Sequence, residues 1–461
     1  MIPKIIHYCW FGGPKSQLVE KCIESWKIFC PDYQIIEWNE SNFDVNISRY
    51  TQDAYNNKKY AFVSDYFRVW AMVNYGGIYF DTDVELIKNI DDLLCEDAFL
   101  AAEDEHYIAT GLGMGSKKGH PLFLRLLQMY DNEIKFLNEN GELNLKNNPM
   151  YVTELLEEMG YSGIIEDEVI SVQGIKIFPQ EYFAPSSFWL PVPMITAKTY
   201  SIHHYEASWI PALFARERKE AIENHQHVFV SPHYDDVLGS CAGWMTALCS
   251  KNIRVKAVTL MSKKFEKELT TPLQRTVHSK WLMDDADRTI ENRNACNVIA
   301  CEVEDLSFFE CIYRYDESGN PMYPNIGDEF DKVSCGDAKL IDEIYSRFSC
   351  YNTQHTTFYF PMAIGHQVDH VIVHEVGKRL CQSGFKVIFY EDFTYSGEIN
   401  GHFRAKSFIL SEEQKKTKIE SLMCYKSQIN MLFGGEKGFY DWFDRKGQIE
   451  TYYYPKENIH A

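Results

Sequence analysis

The sequence lacks several features that would each assign it to a distinct class of protein. No run of 18 or more apolar residues occurs in the 461-residue chain, and residues 1–7 do not resemble the start of a signal peptide. The thirteen cysteines include no C-x-x-C pair, so neither a zinc ribbon nor a disulfide framework is indicated, and a reducing compartment is the simplest interpretation. We therefore expect a cytoplasmic protein, with peripheral association at the inner face of the cell membrane left open.

Basic residues are also scarce. The chain has 46 lysine and arginine residues against 66 aspartate and glutamate residues, for a formal net charge of −20. This charge repels phosphate backbones, so we expect no nucleic-acid partner. The apolar content of 45%, with 24% charged residues, is typical of a globular protein, and the length allows roughly three domains.

Hydrophobic patterning divides the chain into two halves. The polar, charged stretch 215–225 predicts a helical or flexible connector. Directly after it, the β-branched and aromatic residues at 227–230 predict a buried strand that leads into a loop. The first half opens in a similar way, because residues 2–10 predict an apolar strand and residues 18–29 carry apolar side chains at helical spacing. Both halves are therefore predicted to be α/β.

The first cluster of candidate functional residues follows a predicted strand of the first half. Residues 61–75 have helical spacing, a glycine pair interrupts them, and residues 78–80 predict a strand that runs into Asp81 and Asp83. In an extended chain, positions i and i+2 point to the same side, so we expect the two carboxylates to converge on one divalent cation. Such a cation would stabilise the charge on a departing diphosphate, as a sugar-nucleotide transferase requires.

Several ordered motifs in residues 1–212 resemble family 32 glycosyltransferases. The motifs are residues 2–13, 30–33, 37–39, 60–68, 76–83 and 202–209. The resemblance implies a nucleotide-sugar-binding domain of the GT-A type and transfer with retention at the anomeric carbon. It further implies a UDP-sugar donor, a saccharide or lipid-linked saccharide acceptor, and Mn²⁺ or Mg²⁺ as the cofactor.

The same resemblance assigns roles to individual residues. Trp10 would stack on the nucleotide base, with a core tryptophan as the alternative. Asp65 and Arg68, one helical turn apart, would hold the sugar hydroxyl groups and the reacting diphosphate, unless they form only an ion pair within the helix. Ser208 and Trp209 would close over the diphosphate, with ordinary packing of Trp209 as the alternative.

A histidine late in this half would complete the metal site with Asp81 and Asp83. The resemblance favours His204 as the ligand, and His203 is the alternative because two adjacent imidazoles cannot be separated by sequence. A structural histidine is a further alternative. The identity of the donor sugar is not encoded in any spacing, because it depends on a few hydrogen bonds that reject the wrong epimer.

A second cluster follows the strand predicted at 228–230. His233, Asp235 and Asp236 lie in a loop that leads through small residues into a helix, and loops at the carboxyl ends of strands are where open α/β sheets place their sites. One imidazole with two adjacent carboxylates suits zinc chemistry, because one carboxylate can bind the ion while the other reaches a water molecule. Residues 360–370 add a second group of acidic and histidine residues after an aromatic strand.

The second half resembles the PIG-L or LmbE-like family of zinc-dependent N-acetylglucosaminyl deacetylases. Its P-H-x-D-D loop carries the resemblance, together with residues 311–314, 390–393 and 425–428, and the likeness covers residues 226–461. It implies a Rossmann-like deacetylase domain after a GT-A domain at 1–212 and a linker at 213–225. The implied zinc ligands are His233, Asp236 and His370, and the implied general base is Asp235. The alternative is a loop that aspartate-to-backbone hydrogen bonds merely stabilise.

One position departs from the deacetylase pattern. Gln367 stands where the family usually has the first histidine of H-x-D-H, and the nearest imidazole, His366, comes one residue earlier. In the family this imidazole assists the tetrahedral intermediate or the leaving amine. A glutamine amide can donate a hydrogen bond in that catalytic position but cannot deliver a proton at neutral pH. The departure therefore affects the expected rate rather than the expected metal site.

The two halves together predict a bifunctional enzyme of glycan biosynthesis. One half would transfer an N-acetylhexosamine from a UDP-sugar, and the other would remove its acetyl group. Three alternatives stand beside this hypothesis: an active transferase with a slow or inactive metal-binding deacetylase-like domain, a transferase for UDP-glucose or UDP-galactose with a separate deacetylase substrate, and a non-catalytic scaffold of a glycan assembly complex.

Overall fold

The chain folds into two compact units, each with its own seven-stranded sheet. A computed structural model describes residues 1–456 apart from residues 164, 166, 207–209, 282–286, 331, 396, 398 and 400. The N-terminal unit is Met1–Arg216 and the C-terminal unit is Glu217–Ala461. Both units combine helices with a mixed sheet, which confirms the predicted α/β class. The predicted domain boundaries at 212 and 226 stay a prediction.

The N-terminal unit is built around a mixed sheet. Its strands are β1 (Ile5–Cys9), β2 (Gln34–Trp38), β3 (Gly77–Tyr79), β4 (Val84–Leu86), β5 (Ala98–Ala101), β6 (Met114–Ser116), β7 (Ile170–Val172), β8 (Ile175–Phe178) and β9 (Ser201–His203). Its helices are α1 (Gln17–Phe29), α2 (Arg49–Asn56), α3 (Tyr60–Asn74), α4 (Pro121–Asn132), α5 (Asn148–Glu158) and α6 (Gln180–Phe183). The main sheet has the order β2-β1-β3-β6-β5-β8-β7, and β4 pairs with β9 in a separate antiparallel ribbon.

Helix α3 and the strand after it position the first candidate site. The predicted helix at 61–75 is α3, whose apolar side chains are buried on both sides of Asp65 and Arg68. The helix ends at Asn74, and Gly76 follows it with a φ of +69°, in the left-handed region that favours glycine. A Cβ atom there would lie 2.5 Å from the backbone nitrogen of Lys118. The chain then enters β3, which pairs with β1 in parallel.

A helix, α7 (Ala212–Asn224), spans the boundary between the units. It covers most of the stretch that the sequence predicts as a connector, and none of its residues is buried. Among the described residues, no helix is both long enough and apolar enough to cross a membrane.

The C-terminal unit is a largely parallel sheet covered by helices. Its strands are β10 (Gln226–Ser231), β11 (Arg254–Thr259), β12 (Glu302–Asp305), β13 (Thr356–Pro361), β14 (Lys386–Tyr390), β15 (Phe403–Ile409) and β16 (Ile449–Pro455). Its helices are α8 (Asp236–Ser250), α9 (Pro272–Lys280), α10 (Arg288–Ile299), α11 (Ala338–Phe348), α12 (Val368–Gln382), α13 (Glu412–Leu422), α14 (Lys426–Phe433) and α15 (Glu436–Trp442), with a π-helical turn at Phe443–Gly447.

The sheet of the C-terminal unit brings three chain segments to one edge. Its order is β12-β11-β10-β13-β14-β16-β15, and the first five strands are parallel to one another. Because parallel strands end at the same edge, the segments that follow β10, β13 and β14 lie close together. These segments carry His233, His370 and Asp392, so the topology assembles the second candidate site.

Candidate functional site

The chain is not extended between the two carboxylates of the D-x-D motif, Asp81 and Asp83. Strand β3 ends at Tyr79, and the chain then turns, with the backbone N–H of Val84 donating to the carbonyl of Asp81 at 3.1 Å. Asp81 contacts Arg68, whereas Asp83 contacts His203. The backbone between them is a turn and not an extended strand, so the convergence of the two carboxylates on one cation stays a prediction.

Asp81 belongs to a charge cluster with two buried residues of helix α3, Asp65 and Arg68. Arg68 Nη2 lies 3.0 Å from Asp81 Oδ1 and 3.1 Å from Asp65 Oδ1, and the hydroxyl group of Tyr79 donates to Asp81 at 3.0 Å. The ion pair within the helix, considered as the alternative from sequence, is thus present. Burial raises the pKa of Asp65 to about 6, although Arg68 opposes this shift. The guanidinium group of Arg68 therefore contacts both carboxylates, which together fix its orientation.

Asp83 pairs with an imidazole from strand β9. His203 Nε2 lies 3.1 Å from Asp83 Oδ1, and the backbone N–H of Glu206 donates to Asp83 Oδ2 at 2.9 Å. Burial alone would raise the pKa of Asp83, but His203 and the backbone donor outweigh it and lower the pKa to about 2. The Nδ1 atom of His203 is buried without a hydrogen-bond partner among the described residues.

His204, the favoured ligand from sequence, points elsewhere. Its Nε2 atom lies 2.8 Å from Glu85 Oε2. The imidazole beside Asp83 is therefore that of His203, the alternative. The difference has a physical cause, because adjacent residues at the end of a strand face opposite sides of it.

A cavity of about 390 Å³ collects most of the predicted residues of this half, and we call it the D-x-D cavity. The predicted residues in its lining are Trp10, Asp65, Arg68, Asp81, Asp83 and the alternative His203. Trp10 is partly buried, and its Nε1 donates to the carbonyl of Gly13 at 2.7 Å. Ser208 and Trp209 lie outside the described residues, so their predicted closure over a diphosphate stays a prediction.

Two residues of the D-x-D cavity were not anticipated from the sequence. Glu103 lines the cavity, and burial raises the pKa of its carboxyl group. Gly111 allows the close approach of Asp81, because a Cβ atom at this position would lie 1.9 Å from Asp81 Oδ2 and 2.9 Å from Arg68 Nη1. Neither residue belongs to a motif, and no spacing relates either of them to the D-x-D motif.

The C-terminal unit contains a compact set of potential metal ligands. One side-chain atom each of His233, Asp236 and His370 lies within 4.8 Å of the others, and these three residues form the metal cluster. Within the part of the chain that the structure describes, no other group of three histidine, cysteine, aspartate or glutamate residues meets this criterion. Asp81, Asp83 and His204 therefore do not form a preassembled three-ligand site.

Each imidazole of the metal cluster is oriented by a carboxylate behind it. His233 Nδ1 lies 3.2 Å from Asp236 Oδ2, while its Nε2 lies 3.2 Å from Asp369 Oδ2. His370 Nε2 lies 3.4 Å from the same oxygen of Asp236, while its Nδ1 contacts Asp392 Oδ1 at 2.6 Å. A carboxylate on the far nitrogen of a ligating histidine is the common arrangement around protein-bound metals.

The metal cluster fits a divalent cation such as Zn²⁺. His370 Nε2 is buried and has no hydrogen-bond partner among the described residues, although it lies near a carboxylate oxygen. An imidazole nitrogen in this position is suited to a metal ion, and two nitrogens with one carboxylate oxygen form a ligand set that zinc accepts. Without a cation, burial disfavours the charged imidazole of His370, but Asp236 and Asp392 outweigh it and raise the pKa to about 9.

Asp235 lies beside the metal cluster without belonging to it. Its Oδ1 atom lies 3.4 Å from Arg288 Nη2, and Arg288 also lies 3.5 Å from Glu310. Burial and the neighbouring charge of Asp236 raise the pKa of Asp235, whereas Arg288 opposes the shift. A carboxylate with a raised pKa next to a metal site has the properties of a proton acceptor.

Gln367 has a structural task at the start of helix α12. Its Oε1 accepts a hydrogen bond from the backbone N–H of His370 at 3.1 Å, which makes it the N-cap of the helix. Its Nε2 donates toward Asp369 Oδ2 at 3.5 Å and Cys311 Sγ at 3.7 Å. His366, the nearest imidazole in the sequence, is exposed. Both the oxygen and the nitrogen of the Gln367 amide thus already have hydrogen-bond partners.

Comparison with known proteins bears on both units. Residues 16–100 match the family model described as "Glycosyltransferase sugar-binding region containing DXD motif". A 2'-N-acetylparomamine deacetylase of Niallia circulans is 29% identical over 232 residues, which are 45% of this chain and 82% of that protein. The chain thus joins a glycosyltransferase-type D-x-D region to a deacetylase-like half. This finding confirms both resemblances stated from sequence and, at the level of enzyme class, the pairing of a transferase with a deacetylase.

Two further relatives complete the comparison. The N-terminal D-x-D region is similar to inositol phosphoceramide mannosyltransferase 3 of Schizosaccharomyces pombe, with 28% identity over 138 residues. The matched segment spans 28% of this chain and only 36% of that relative. The deacetylase-like half is similar to the solved structure of a deacetylase from teicoplanin biosynthesis, with 20% identity, a TM-score of 0.43, and coverage of 50% of this chain and 99% of that one.

Proposed function

We propose that the chain is a bifunctional enzyme of glycan biosynthesis. The N-terminal unit would transfer a sugar from a UDP-sugar with retention, using Mn²⁺ or Mg²⁺, and the C-terminal unit would use Zn²⁺ to remove the acetyl group from an N-acetylglucosamine-type sugar. The observation that carries the proposal is the metal cluster, in which Asp369 and Asp392 hold two imidazoles toward Asp236. The D-x-D match of the other unit supports the transferase activity.

In the deacetylase unit, the metal ligands would be His233, Asp236 and His370. When bound, zinc supplies Lewis-acid activation of water for attack on an amide carbonyl. Asp235 would accept the proton of that water, since it lies next to the ligand set with a raised pKa. Arg288 lies 3.4 Å from Asp235 and would keep its carboxylate in position.

In the transferase unit, Asp81 and Asp83 would hold the metal ion, which would stabilise the charge of the diphosphate. His203 would support Asp83, which it contacts at 3.1 Å. Arg68 would contact the diphosphate and Asp65 the sugar hydroxyl groups, because both line the same cavity. Trp10, which directly follows strand β1, would stack on the nucleotide base.

One observation favours a second candidate function for the C-terminal unit, namely a slow or inactive deacetylase-like domain. Gln367 caps helix α12 through its oxygen and directs its nitrogen toward Asp369. No proton donor therefore stands at this position to assist the leaving amine. Loss of one group that stabilises a tetrahedral intermediate costs about 100-fold to 1000-fold in rate.

The relatives widen the range of donors to test. One is named as a mannosyltransferase and another as a deacetylase of an N-acetylated compound. A mannose donor therefore stands beside UDP-N-acetylglucosamine, and the alternatives UDP-glucose and UDP-galactose complete the panel. Only an N-acetylated donor would link the two activities in sequence, with the deacetylase unit acting on the product of the transferase unit.

The decisive experiment measures both activities in one preparation. The full chain is incubated with each nucleotide sugar, an acceptor mixture, Mn²⁺ and Zn²⁺, and nucleoside diphosphate and acetate are quantified. We expect diphosphate release with one donor and acetate release with an N-acetylated sugar. Zinc content after dialysis separates an enzyme from a scaffold, which has no need to retain the ion.

Two variants test whether each unit carries one of the two activities. Asp83→Ala should abolish transfer and leave acetate release intact, whereas Asp235→Ala should abolish acetate release and leave transfer intact. Retained circular dichroism would show that each variant is folded. A single substitution that removed both activities from a folded chain would contradict the two-site proposal.

A further inference from the structure

One hydroxyl group beside the metal cluster takes no part in the proposed deacetylase chemistry. Tyr395 follows strand β14, in the loop that also carries Asp392. Its side chain is half-buried, and its hydroxyl group makes no hydrogen bond with any described residue. The ring lies edge-on to the ring of His370, with the two centroids 5.3 Å apart. Tyr395 therefore places an unused hydrogen-bond donor next to a proposed metal ligand.

The backbone of two loops holds the ring of Tyr395 in this position. Thr394, directly before it, has a φ of +65°, a left-handed conformation that is strained for a β-branched residue. Gly365, in the loop before helix α12, leaves room for the ring, because a Cβ atom there would lie 2.5 Å from Tyr395 Cδ1. Strained backbone persists where the surrounding structure enforces it, and it is common at active sites. The two loops thus fix the position of the ring.

The hydroxyl end of Tyr395 is directed toward the metal cluster. Burial raises the pKa of the phenol, and the carboxylates of Asp236 and Asp235 raise it further. Both carboxylates have a larger effect than that of Asp392, although Asp392 lies only three residues before Tyr395 in the chain. Charge interactions weaken with distance, so the hydroxyl group lies closer to the two aspartates that follow β10 than to the carboxylate of its own loop.

This position complements the departure at Gln367. The oxygen of the Gln367 amide caps helix α12, and its nitrogen donates toward Asp369 and Cys311, so no N–H of this amide is left for a substrate. A phenol is protonated at neutral pH and donates a hydrogen bond. A donor that meets the negative charge developing on a carbonyl oxygen contributes about 100-fold to 1000-fold in rate. Tyr395 can supply such a donor from the other loop beside His370.

We infer that Tyr395 is a catalytic residue of the deacetylase unit, whose hydroxyl group donates a hydrogen bond to the acetamide carbonyl oxygen of the substrate. When water attacks the carbonyl carbon, a C–O bond forms, one proton of the water passes to Asp235, and the π electron pair moves onto the carbonyl oxygen. Tyr395 stabilises the negative charge there and keeps its own proton.

The second half of the reaction returns the electrons and the proton. The C=O bond forms again, the C–N bond breaks, and the amine takes up the proton from Asp235, while acetic acid is released and ionises to acetate. This inference rests on the proposed deacetylase function. It adds a donor, from a loop that the sequence comparison does not single out, in place of the missing imidazole.

The test compares Tyr395→Phe with the wild-type full chain, both loaded with Zn²⁺. The probes are N-acetylglucosamine and its methylphosphonamide analogue, in which a tetrahedral phosphorus with an anionic oxygen replaces the carbonyl group. We expect the kcat of acetate release to fall by about 100-fold to 1000-fold in Tyr395→Phe, with KM changed by less than about twofold. Calorimetry should show a loss of affinity for the analogue of at least about tenfold. Zinc affinity, measured by chelator competition, should change by less than about twofold.

Tyr345→Phe is the matched control. Tyr345 is also half-buried, and its hydroxyl group pairs with that of Ser383 at 2.9 Å, outside the metal cluster. This variant should release acetate and bind the analogue as the wild-type chain does. Unchanged affinity for the analogue in Tyr395→Phe, or an equal loss of affinity for the amide and the analogue, would overturn the inference. Wild-type chain that holds zinc but neither binds the analogue nor releases acetate would instead contradict the proposed deacetylase function.

Discussion

At the scale of single residues, the two sites depend on residues that are not themselves proposed ligands. Asp369 and Asp392 orient the imidazoles of the metal cluster, and Asp369 is itself fixed by Arg314 at 2.6 Å. Gly111 leaves space for Asp81 in the other unit. Substitutions at these positions alter the geometry of a site while all of its proposed ligand residues remain.

Asp392→Asn should weaken zinc binding without removing a ligand. An amide in place of this carboxylate cannot both accept from His370 Nδ1 and keep the bond that Asp392 Oδ2 accepts from the backbone N–H of Ile364 at 2.8 Å. We expect zinc affinity to fall by about 10-fold to 100-fold, with a parallel loss of acetate release. Competition with a calibrated chelator measures the affinity. Glu391→Gln changes the exposed neighbouring carboxylate and should leave both unchanged, and equal zinc affinity in the two variants would contradict the orienting role of Asp392.

Gly111→Ala should impair the transferase unit while all of its carboxylates remain. The new Cβ would lie within 1.9 Å of Asp81 Oδ2, so the carboxylate has to move and its contact with Arg68 changes. We expect transfer and metal-dependent UDP binding to fall at least about tenfold, while acetate release stays at the wild-type rate. Gly13→Ala is the matched control, because a Cβ atom added at Gly13 would have no neighbouring atom within 4 Å. Normal UDP binding by Gly111→Ala would show that Asp81 tolerates displacement.

At the scale of secondary-structure elements, strand ends and helix starts build the metal cluster. Asp236 is the first residue of α8, and Gln367 caps the helix that carries His370. The local hydrophobic pattern is sufficient to predict the strand before each of these segments. It does not predict which carboxylates stand behind the imidazoles, because Asp369 and Asp392 reach them only once β10, β13 and β14 lie side by side.

The prediction that His204 is the metal ligand shows the same limit of local sequence patterns in the N-terminal unit. Strand β9 pairs with β4 so that His203 lies opposite Val84, and this register decides which of the two imidazoles reaches Asp83. A shift of one residue would reverse the two side chains. Pairing between strands that are more than a hundred residues apart is not encoded in the local pattern, so the choice required the folded structure.

The cap of helix α12 gives a prediction at this scale. Gln367→Ala removes the acceptor for the backbone N–H of His370, so we expect the free energy of unfolding to fall by about 1 kcal/mol. Zinc affinity should fall as well, because the capped residue is a proposed ligand. Ser411→Ala removes the equivalent cap of α13, which lies outside the metal cluster, and should lower stability alone. Urea unfolding and chelator competition measure the two effects, and unchanged zinc affinity in Gln367→Ala would limit Gln367 to a stabilising role.

At the scale of the whole molecule, each unit carries a sheet and core of its own, and each also buries neutral histidines. In the N-terminal unit, His7 Nε2 lies 2.9 Å from the carbonyl of Gly76, and Trp38 Nε1 donates to His7 Nδ1 at 3.1 Å. These two bonds use both nitrogens of the neutral ring. Burial lowers the pKa of His7 to about 4, and in the C-terminal unit burial lowers the pKa of His227 further.

These histidines predict a loss of stability in mild acid. A histidine whose folded pKa lies below its ordinary value of 6.5 binds its proton more readily in the unfolded chain, so stability is complete above that value and falls as the pH decreases toward the folded pKa. We expect each such group to lower the free energy of unfolding by about 1.4 kcal/mol per pH unit between roughly pH 6 and pH 4.5. Urea unfolding at several pH values measures this slope. His7→Gln should reduce the slope by the share of one proton. An unaltered slope in His7→Gln would mean that the pKa of His7 in the folded unit equals its ordinary value of 6.5.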